Sequence, residues 1–110
     1  MQTALRYIEL KTGYSDDGPA WVARVGLSKS GRTVYFNGRE LRRCNGMSGN
    51  HRDAETGEEY WISGVKKSGA NRHPCGRGKI MVQRGALEEF LAWTGQGALD
   101  ARLYETIESI

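Results

Sequence analysis

The chain has 110 residues, of which 38% are hydrophobic and 26% are charged, and its formal net charge is +3. This length suits a single domain over residues 1–110, and the composition excludes an intrinsically disordered chain. A run of about 18 apolar residues is absent, which excludes a membrane-spanning helix, and the N-terminus lacks the pattern of a secretion signal. We therefore expect a cytoplasmic protein whose two cysteines, Cys44 and Cys75, stay reduced.

Fifteen glycines and only two prolines indicate a chain that turns often. Alternation of apolar and polar residues predicts six strands, at 5–11, 20–28, 32–37, 39–44, 58–67 and 79–83. Asn37-Gly38 predicts a type I′ hairpin turn between the third and fourth strands, because both residues tolerate positive φ. Loops are predicted in the polar, glycine-rich segments, at 13–19, 45–57 and 68–78.

The pattern changes near the C-terminus. Leu87, Phe90 and Leu91 follow helical spacing and predict one amphipathic helix over residues 85–94, which Gly95 would end in the left-handed conformation. Residues 99–109 fit either a helix or a strand, and the β-branched and aromatic residues after Arg102 favour a strand. The whole pattern predicts a mostly β fold, a small curled antiparallel sheet or open barrel of six to seven strands with one helix near the C-terminus.

Basic residues concentrate in the middle of the chain. Residues 24–84 hold 13 of the 16 lysines and arginines but only 5 of the 13 acids, and the interval between Glu59 and Glu88 holds six bases and no acid. Such a cluster attracts polyanions or acidic partners. The alternative is a solvated face that the acidic C-terminal segment neutralises.

Two segments resemble motifs of a family of small bacterial proteins without assigned function. They are Tyr35-Phe36-Asn37-Gly38 and the stretch that begins at Asn50 and continues as Thr56-Gly57-Glu58-Glu59-Tyr60-Trp61-Ile62-Ser63-Gly64. The likeness extends through Lys66, Gly69, Arg72 and His73 and covers roughly residues 5 to 95. It implies a compact β fold and supplies no substrate, cofactor or catalytic residue. The chain departs from the pattern at Pro74-Cys75, where an aromatic and a small residue are expected.

Cys44, His51, His73 and Cys75 form a candidate zinc ligand set. Structural zinc sites use closely spaced pairs, because a short loop orients two ligands towards one ion. Here six residues separate Cys44 from His51, and twenty-one separate His51 from His73. The spacing matches no common template, so we expect no metal and no cofactor.

Residue spacing also speaks against catalysis. Cys75 beside His73, oriented by Asp53, would resemble a nucleophile, base and orienting acid, but no spacing supports the trio. The segment Gly76-Arg77-Gly78-Lys79 is too short for a P-loop and precedes a predicted strand instead of a helix. We therefore expect a protein that is not an enzyme.

Aromatic residues interleaved with bases predict a binding module. Small barrels stack the bases of single strands on exposed aromatics while lysines and arginines follow the phosphates. We expect a polyanion, nucleic acid above all, to contact a basic loop and strand made of Trp61, Lys66, Lys67, Arg72, His73, Arg77 and Lys79. Two alternatives remain open: Trp61 packs beneath the helix, or the partner is an acidic protein or peptide held between the long loops.

Overall fold

The computed structural model describes residues 2–11, 18–67 and 78–108. The described residues form a mostly β fold. In chain order its elements are β1 (Gln2–Leu10), β2 (Ala20–Leu27), β3 (Thr33–Phe36), β4 (Arg39–Arg43), β5 (His51–Asp53), β6 (Glu59–Gly64), β7 (Ile80–Gln83), α1 (Arg84–Thr94) and β8 (Tyr104–Ile107). Most of the predicted loops 13–19 and 68–78 lies outside the described residues. No helix in the described ranges is long and apolar enough to cross a membrane.

Six of the strands form a closed antiparallel barrel in the order β1-β6-β5-β4-β3-β2, which confirms the predicted small barrel. Closure depends on the long first strand, because β1 pairs with β2 at eight positions and with β6 at five. The predicted hairpin between β3 and β4 is also confirmed, since φ is 54° at Asn37 and 70° at Gly38. The barrel is fully closed, and closure removes the free edges of these six strands.

The remaining two strands extend the sheet away from the barrel. The first residues of β2, Ala20 to Val22, pair with β7 in parallel, while β3 pairs with β2 only at Gly26 and Leu27. β8 then pairs with β7 in parallel, because the chain returns to the sheet through α1. The alternation in the sequence did not indicate these parallel pairs, since alternation reports which face a residue occupies and not the direction of the neighbouring strand.

Strands β1 and β2 are covered on both faces, so the fold has two cores. The inside of the barrel is filled by buried side chains that include Ile8, Val34 and Leu41. The outer face of β1 and β2 carries Tyr7 and Val22, which pack with the β7–α1–β8 layer. In that layer the rings of Phe90 and Tyr104 meet edge to face at 5.4 Å. The second core explains why these two strands contain so few exposed residues.

The predicted helix and the predicted final strand are both confirmed, and one loop is corrected. Gly95 ends α1 with φ 71°, and its backbone N–H bonds to the carbonyl of Ala92. The segment 45–57, predicted as one long loop, contains β5 (His51–Asp53). Three alternating residues inside a glycine-rich, polar stretch are too few to produce a recognisable strand pattern.

Candidate functional site

Trp61 stands on the outer wall of the barrel and is 42% exposed. Its neighbours on β6, Tyr60 and Ile62, face the barrel interior, so alternation turns the indole outwards. The helix packs over β1, β2, β7 and β8. Trp61 therefore does not lie buried beneath α1, and the alternative of a core tryptophan is excluded.

Arginines stand beside Trp61 on the same wall. Register places Arg42 of β4 directly opposite Arg52 of β5, and Arg52 directly opposite Glu59 of β6. Because Trp61 lies two residues beyond Glu59, Arg52 is its diagonal neighbour across the β5–β6 pair. We call the group Arg42, Arg52 and Trp61 the outer wall site. It combines one exposed aromatic ring with two guanidinium groups, and that of Arg42 is already paired with Glu40, since its Nε donates to Oε2 at 2.7 Å.

Besides Glu40, two carboxylates neighbour this site in the strand register, Glu59 opposite Arg52 and Glu9 opposite Trp61. Glu59 Oε1 accepts hydrogen bonds from the backbone N–H groups of Ser48 and Gly49, both at 3.0 Å. These N–H groups, Gly49 first, lower the pKa of Glu59 from its ordinary value. The same contacts hold the 44–50 loop against β6, where a side chain at position 49 would collide with the Tyr60 backbone.

Glu9 lies opposite Trp61 in the β1–β6 register and is only 2% exposed. Tyr7 Oη donates to its Oε1 at 2.5 Å, and Lys11 Nζ donates to its Oε2 at 2.9 Å. A buried carboxylate is tolerated when it is paired and hydrogen-bonded in this way. Glu9 therefore presents no free negative charge beside Trp61.

The described lysines of the sequence-predicted patch lie at two different levels of the barrel. Lys66 and Lys67 follow the end of β6, which is level with Arg6, and both are exposed. Lys79 is also exposed, and it precedes Ile80 of β7. Ile80 pairs with Ala20 of β2, which in turn pairs with Glu9 of β1. Trp61 pairs with Glu9 of β1, so β1 and β2 stand between Trp61 and the strand that follows Lys79. The other three residues of the patch, Arg72, His73 and Arg77, lie outside the described residues.

The acidic C-terminal segment neutralises bases outside that patch. Glu89 of α1 pairs with Arg24 at 2.8 Å, and Glu108 pairs with Arg84 at 2.9 Å. Both ion pairs are formed by exposed side chains and contribute little stability. Because Glu89 and Glu108 form these ion pairs, their negative charges are balanced by Arg24 and Arg84.

Asp53 holds the β5–β6 turn together. Its Oδ1 accepts the backbone N–H groups of Glu55 at 2.8 Å and Thr56 at 3.2 Å, while Oδ2 accepts Arg39 Nη1 at 2.8 Å. These bonds, the Glu55 N–H first, outweigh burial and lower the pKa of Asp53. Both carboxylate oxygens accept hydrogen bonds in the turn, and His73, the histidine that Asp53 would orient, lies outside the described residues.

His51 is buried inside one end of the barrel, where its Nδ1 lies 2.8 Å from Oδ1 of Asn50. Cys44 is a half-buried free thiol. No group of three or more candidate metal ligands forms within the described ranges. The other two members of the candidate zinc set, His73 and Cys75, lie outside those ranges.

The sequence pattern singled out Trp61 but missed Arg42 and Arg52. A signal existed for Arg42, because it alternates with inward-facing Leu41 in a predicted strand. Arg52 was hidden because β5 was not recognised, and only the register shows that Arg52 lies opposite Arg42. Comparisons of the chain with protein-family models, with curated proteins and with solved structures find no match. The geometry of the described residues is therefore the basis for assigning a function to this protein.

Proposed function

We propose that this protein is a non-enzymatic binding module of the small-barrel type, and that it contacts single-stranded nucleic acid. The observation that carries the proposal is the exposed indole of Trp61 on the barrel wall with Arg52 as its diagonal neighbour. An exposed aromatic ring gives a base a surface to stack on, and a nearby guanidinium binds the phosphate that follows it. The site requires no nucleophile and no metal.

The lysines at the end of β6 favour an anionic ligand, whereas the arginines beside Trp61 each have an acidic neighbour, Glu40 at Arg42 and Glu59 opposite Arg52. Glu9 and Glu59 are hydrogen-bonded within the protein, and Lys66 and Lys67 add two exposed positive charges where β6 ends. A ligand that is stacked on Trp61 and runs along β6 would reach these lysines. We include in the same surface the basic loop predicted from the sequence, with Arg72, His73, Arg77 and Lys79.

Binding is tested by titrating a fluorescently labelled oligothymidylate with the protein and following anisotropy. We expect Trp61→Ala to weaken binding by about tenfold or more, because stacking contributes about 1–3 kcal/mol per base. Arg52→Gln should weaken binding less and should reduce its dependence on salt. The matched control is Arg102→Gln, since Arg102 is an exposed arginine in the turn before β8, outside the outer wall site and paired with Asp100.

The basic loop and strand are tested in a variant in which Lys66, Lys67, Arg72 and Arg77 are all replaced with alanine. We expect this variant to fold and to lose nucleic-acid binding. Circular dichroism of each variant provides the check on folding. Unchanged affinity in Trp61→Ala and in the fourfold variant would exclude this surface, and equal loss in Arg102→Gln would indicate nonspecific attraction.

Salt distinguishes nucleic acid from the acidic protein or peptide partner. Affinity for a polyanion should fall steeply between about 50 and about 200 mM salt, because bound counterions are released from the phosphates. Binding of a polyglutamate peptide is measured on the same samples. Tight binding of polyglutamate with no binding of the oligothymidylate would replace nucleic acid with an acidic protein partner.

A further inference from the structure

A groove runs between α1 and the outer face of the barrel, beside the C-terminal end of β6. It encloses about 580 Å³ and lies between β1, β2, the end of β6 and the helix. Volumes of this order are typical of sites for small molecules. The apolar part of its lining includes Leu5, Val65 and Ala92. We call it the α1 groove.

The walls of the α1 groove are held in place by specific contacts. Trp93 lines it, and its Nε1 donates to the backbone carbonyl of Val65 at 2.6 Å. Lys67 Nζ lies 4.7 Å from the centre of the Trp93 ring. On the opposite rim Arg24 Nη1 bonds to both carboxylate oxygens of Glu89, at 2.8 and 3.0 Å, in an exposed contact between β2 and α1 that contributes little stability. The hydrogen bond from Trp93 to Val65 is therefore the contact that holds α1 against the end of β6.

Arg6 is the polar group in this groove that the protein leaves uncompensated. Its Nη1 donates to the carbonyl of Leu5 at 2.9 Å. Within the described ranges no carboxylate pairs with it, in contrast to Arg24 on the other rim. A guanidinium carries further N–H donors arranged to bind a carboxylate through two parallel hydrogen bonds. An anion at Arg6 would supply the missing partner.

We propose that the α1 groove binds a small amphipathic carboxylate, whose anionic end pairs with Arg6 and whose apolar body lies on Leu5, Val65 and Trp93. Arg6 and Arg24 outweigh Glu89 among the charged groups that line the groove, so the local charge favours an anion over a cation. This inference goes beyond the proposed function and does not depend on it, because no residue of the outer wall site lines the groove; the two surfaces meet where Lys67 lies over Trp93.

The test compares octanoate with 1-octanol, which share an apolar chain and differ in charge. Binding of each is measured by calorimetry and by shifts of backbone amide signals in NMR spectra. We expect saturable binding of octanoate with shifts at Leu5 and Val65, and weaker binding of octanol. Arg6→Gln should weaken octanoate binding at least about tenfold while leaving octanol binding unchanged, because only the carboxylate uses the guanidinium.

The position of the ligand is tested by filling the groove. Ala92 lies at an exposed position of α1, so the helix accommodates Ala92→Trp, and we expect this variant to lose both ligands. Ala92→Leu adds less volume and should weaken both, which keeps the test valid if the larger variant does not fold. Arg102→Gln is the matched control and should bind as the unaltered protein does. Absence of saturable octanoate binding, or octanoate binding that survives Arg6→Gln or Ala92→Trp unchanged, would overturn the proposal.

Discussion

His51 is a titratable residue that folding places in an apolar environment. Burial lowers its pKa from the ordinary value of 6.5, and the positive charge of Arg43 lowers it further. Asn50 Oδ1 can only accept a hydrogen bond, so in the contact at 2.8 Å the Nδ1–H of His51 is the donor. The folded protein therefore prefers the uncharged imidazole.

This preference predicts that stability falls as the solution becomes acidic. Because the pKa of His51 is lower in the folded protein, the unfolded chain binds the proton more readily. The contribution is complete above about pH 6.5 and is lost as the pH falls below that value towards the folded pKa. We expect the free energy of unfolding in urea to decrease between about pH 7.5 and pH 5.5, and to decrease less in His51→Gln.

The comparison between the two proteins isolates His51. The second histidine, His73, is present in both, so its contribution cancels in the difference. Identical pH dependence in the unaltered protein and in His51→Gln would contradict the placement of a neutral His51 inside the barrel.

Among single residues, Trp61 shows what the alternation of residues along a strand predicts and what it does not. The sequence predicts that Trp61 and Tyr60 face opposite sides of one strand, and the structure confirms it. Which of the two faces solvent depends on what covers the strand. The answer comes from α1, which packs over the other side of the barrel and leaves Trp61 exposed.

At the scale of elements, β5 is the strand that its own sequence indicates most weakly. It has three residues and pairs with β6 at only two positions. The side chain of Asn50 extends this pairing, since Nδ2 donates to the carbonyl of Ile62 at 2.8 Å and Oδ1 accepts the N–H of Ile62 at 2.8 Å. The side-chain amide of Asn50 thus forms with Ile62 the pair of hydrogen bonds that a backbone residue would otherwise form.

Removal of that amide should loosen the β5–β6 pairing. Asn50→Ala leaves the N–H and the carbonyl of Ile62 without these partners, and we expect the free energy of unfolding to fall by about 2 kcal/mol. Asn45→Ala is the matched control, because Asn45 is exposed, and it should change stability by less than about 0.5 kcal/mol. Amide hydrogen exchange at Ile62 should accelerate in Asn50→Ala. Equal stability of the two variants would show that the side-chain bonds contribute nothing.

The helix and the β3–β4 hairpin needed no such long-range help to be recognised. Gly95 and Asn37-Gly38 require positive φ, a local property that glycine and asparagine tolerate. The spacing of Leu87 and Phe90 is likewise local. For β5 the decisive bonds come from β4 and β6, and a window of sequence around His51 contains neither strand.

At the scale of the whole molecule, the two cores share β1 and β2. Ile8 faces into the barrel and Tyr7 faces the β7–α1–β8 layer, so one strand contributes to both. Opening either core would expose the back of strands that the other core needs. We therefore expect the domain to unfold as one cooperative unit.

Two buried valines test this cooperativity. Val34→Ala in the barrel core and Val82→Ala in the outer core should each lower the free energy of unfolding by about 2 kcal/mol. Tryptophan fluorescence and far-ultraviolet circular dichroism should report the same single transition in both variants. Leu103→Ala is the control, because Leu103 is exposed and should change little. Separate transitions for the two probes would show that the barrel and the outer layer unfold independently.

Local physics explains what the sequence determined by itself. Alternation, helical spacing and turn residues are properties of neighbouring residues, and they were enough to predict a mostly β barrel with one helix and which residues of each recognised strand share a face. Long-range pairing decided the rest. Closure of the barrel, the parallel direction of β7 and β8, the position of Arg42 opposite Arg52, and the α1 groove all join residues far apart in the chain. Register and packing between elements create these features, and no short stretch of sequence contains both partners.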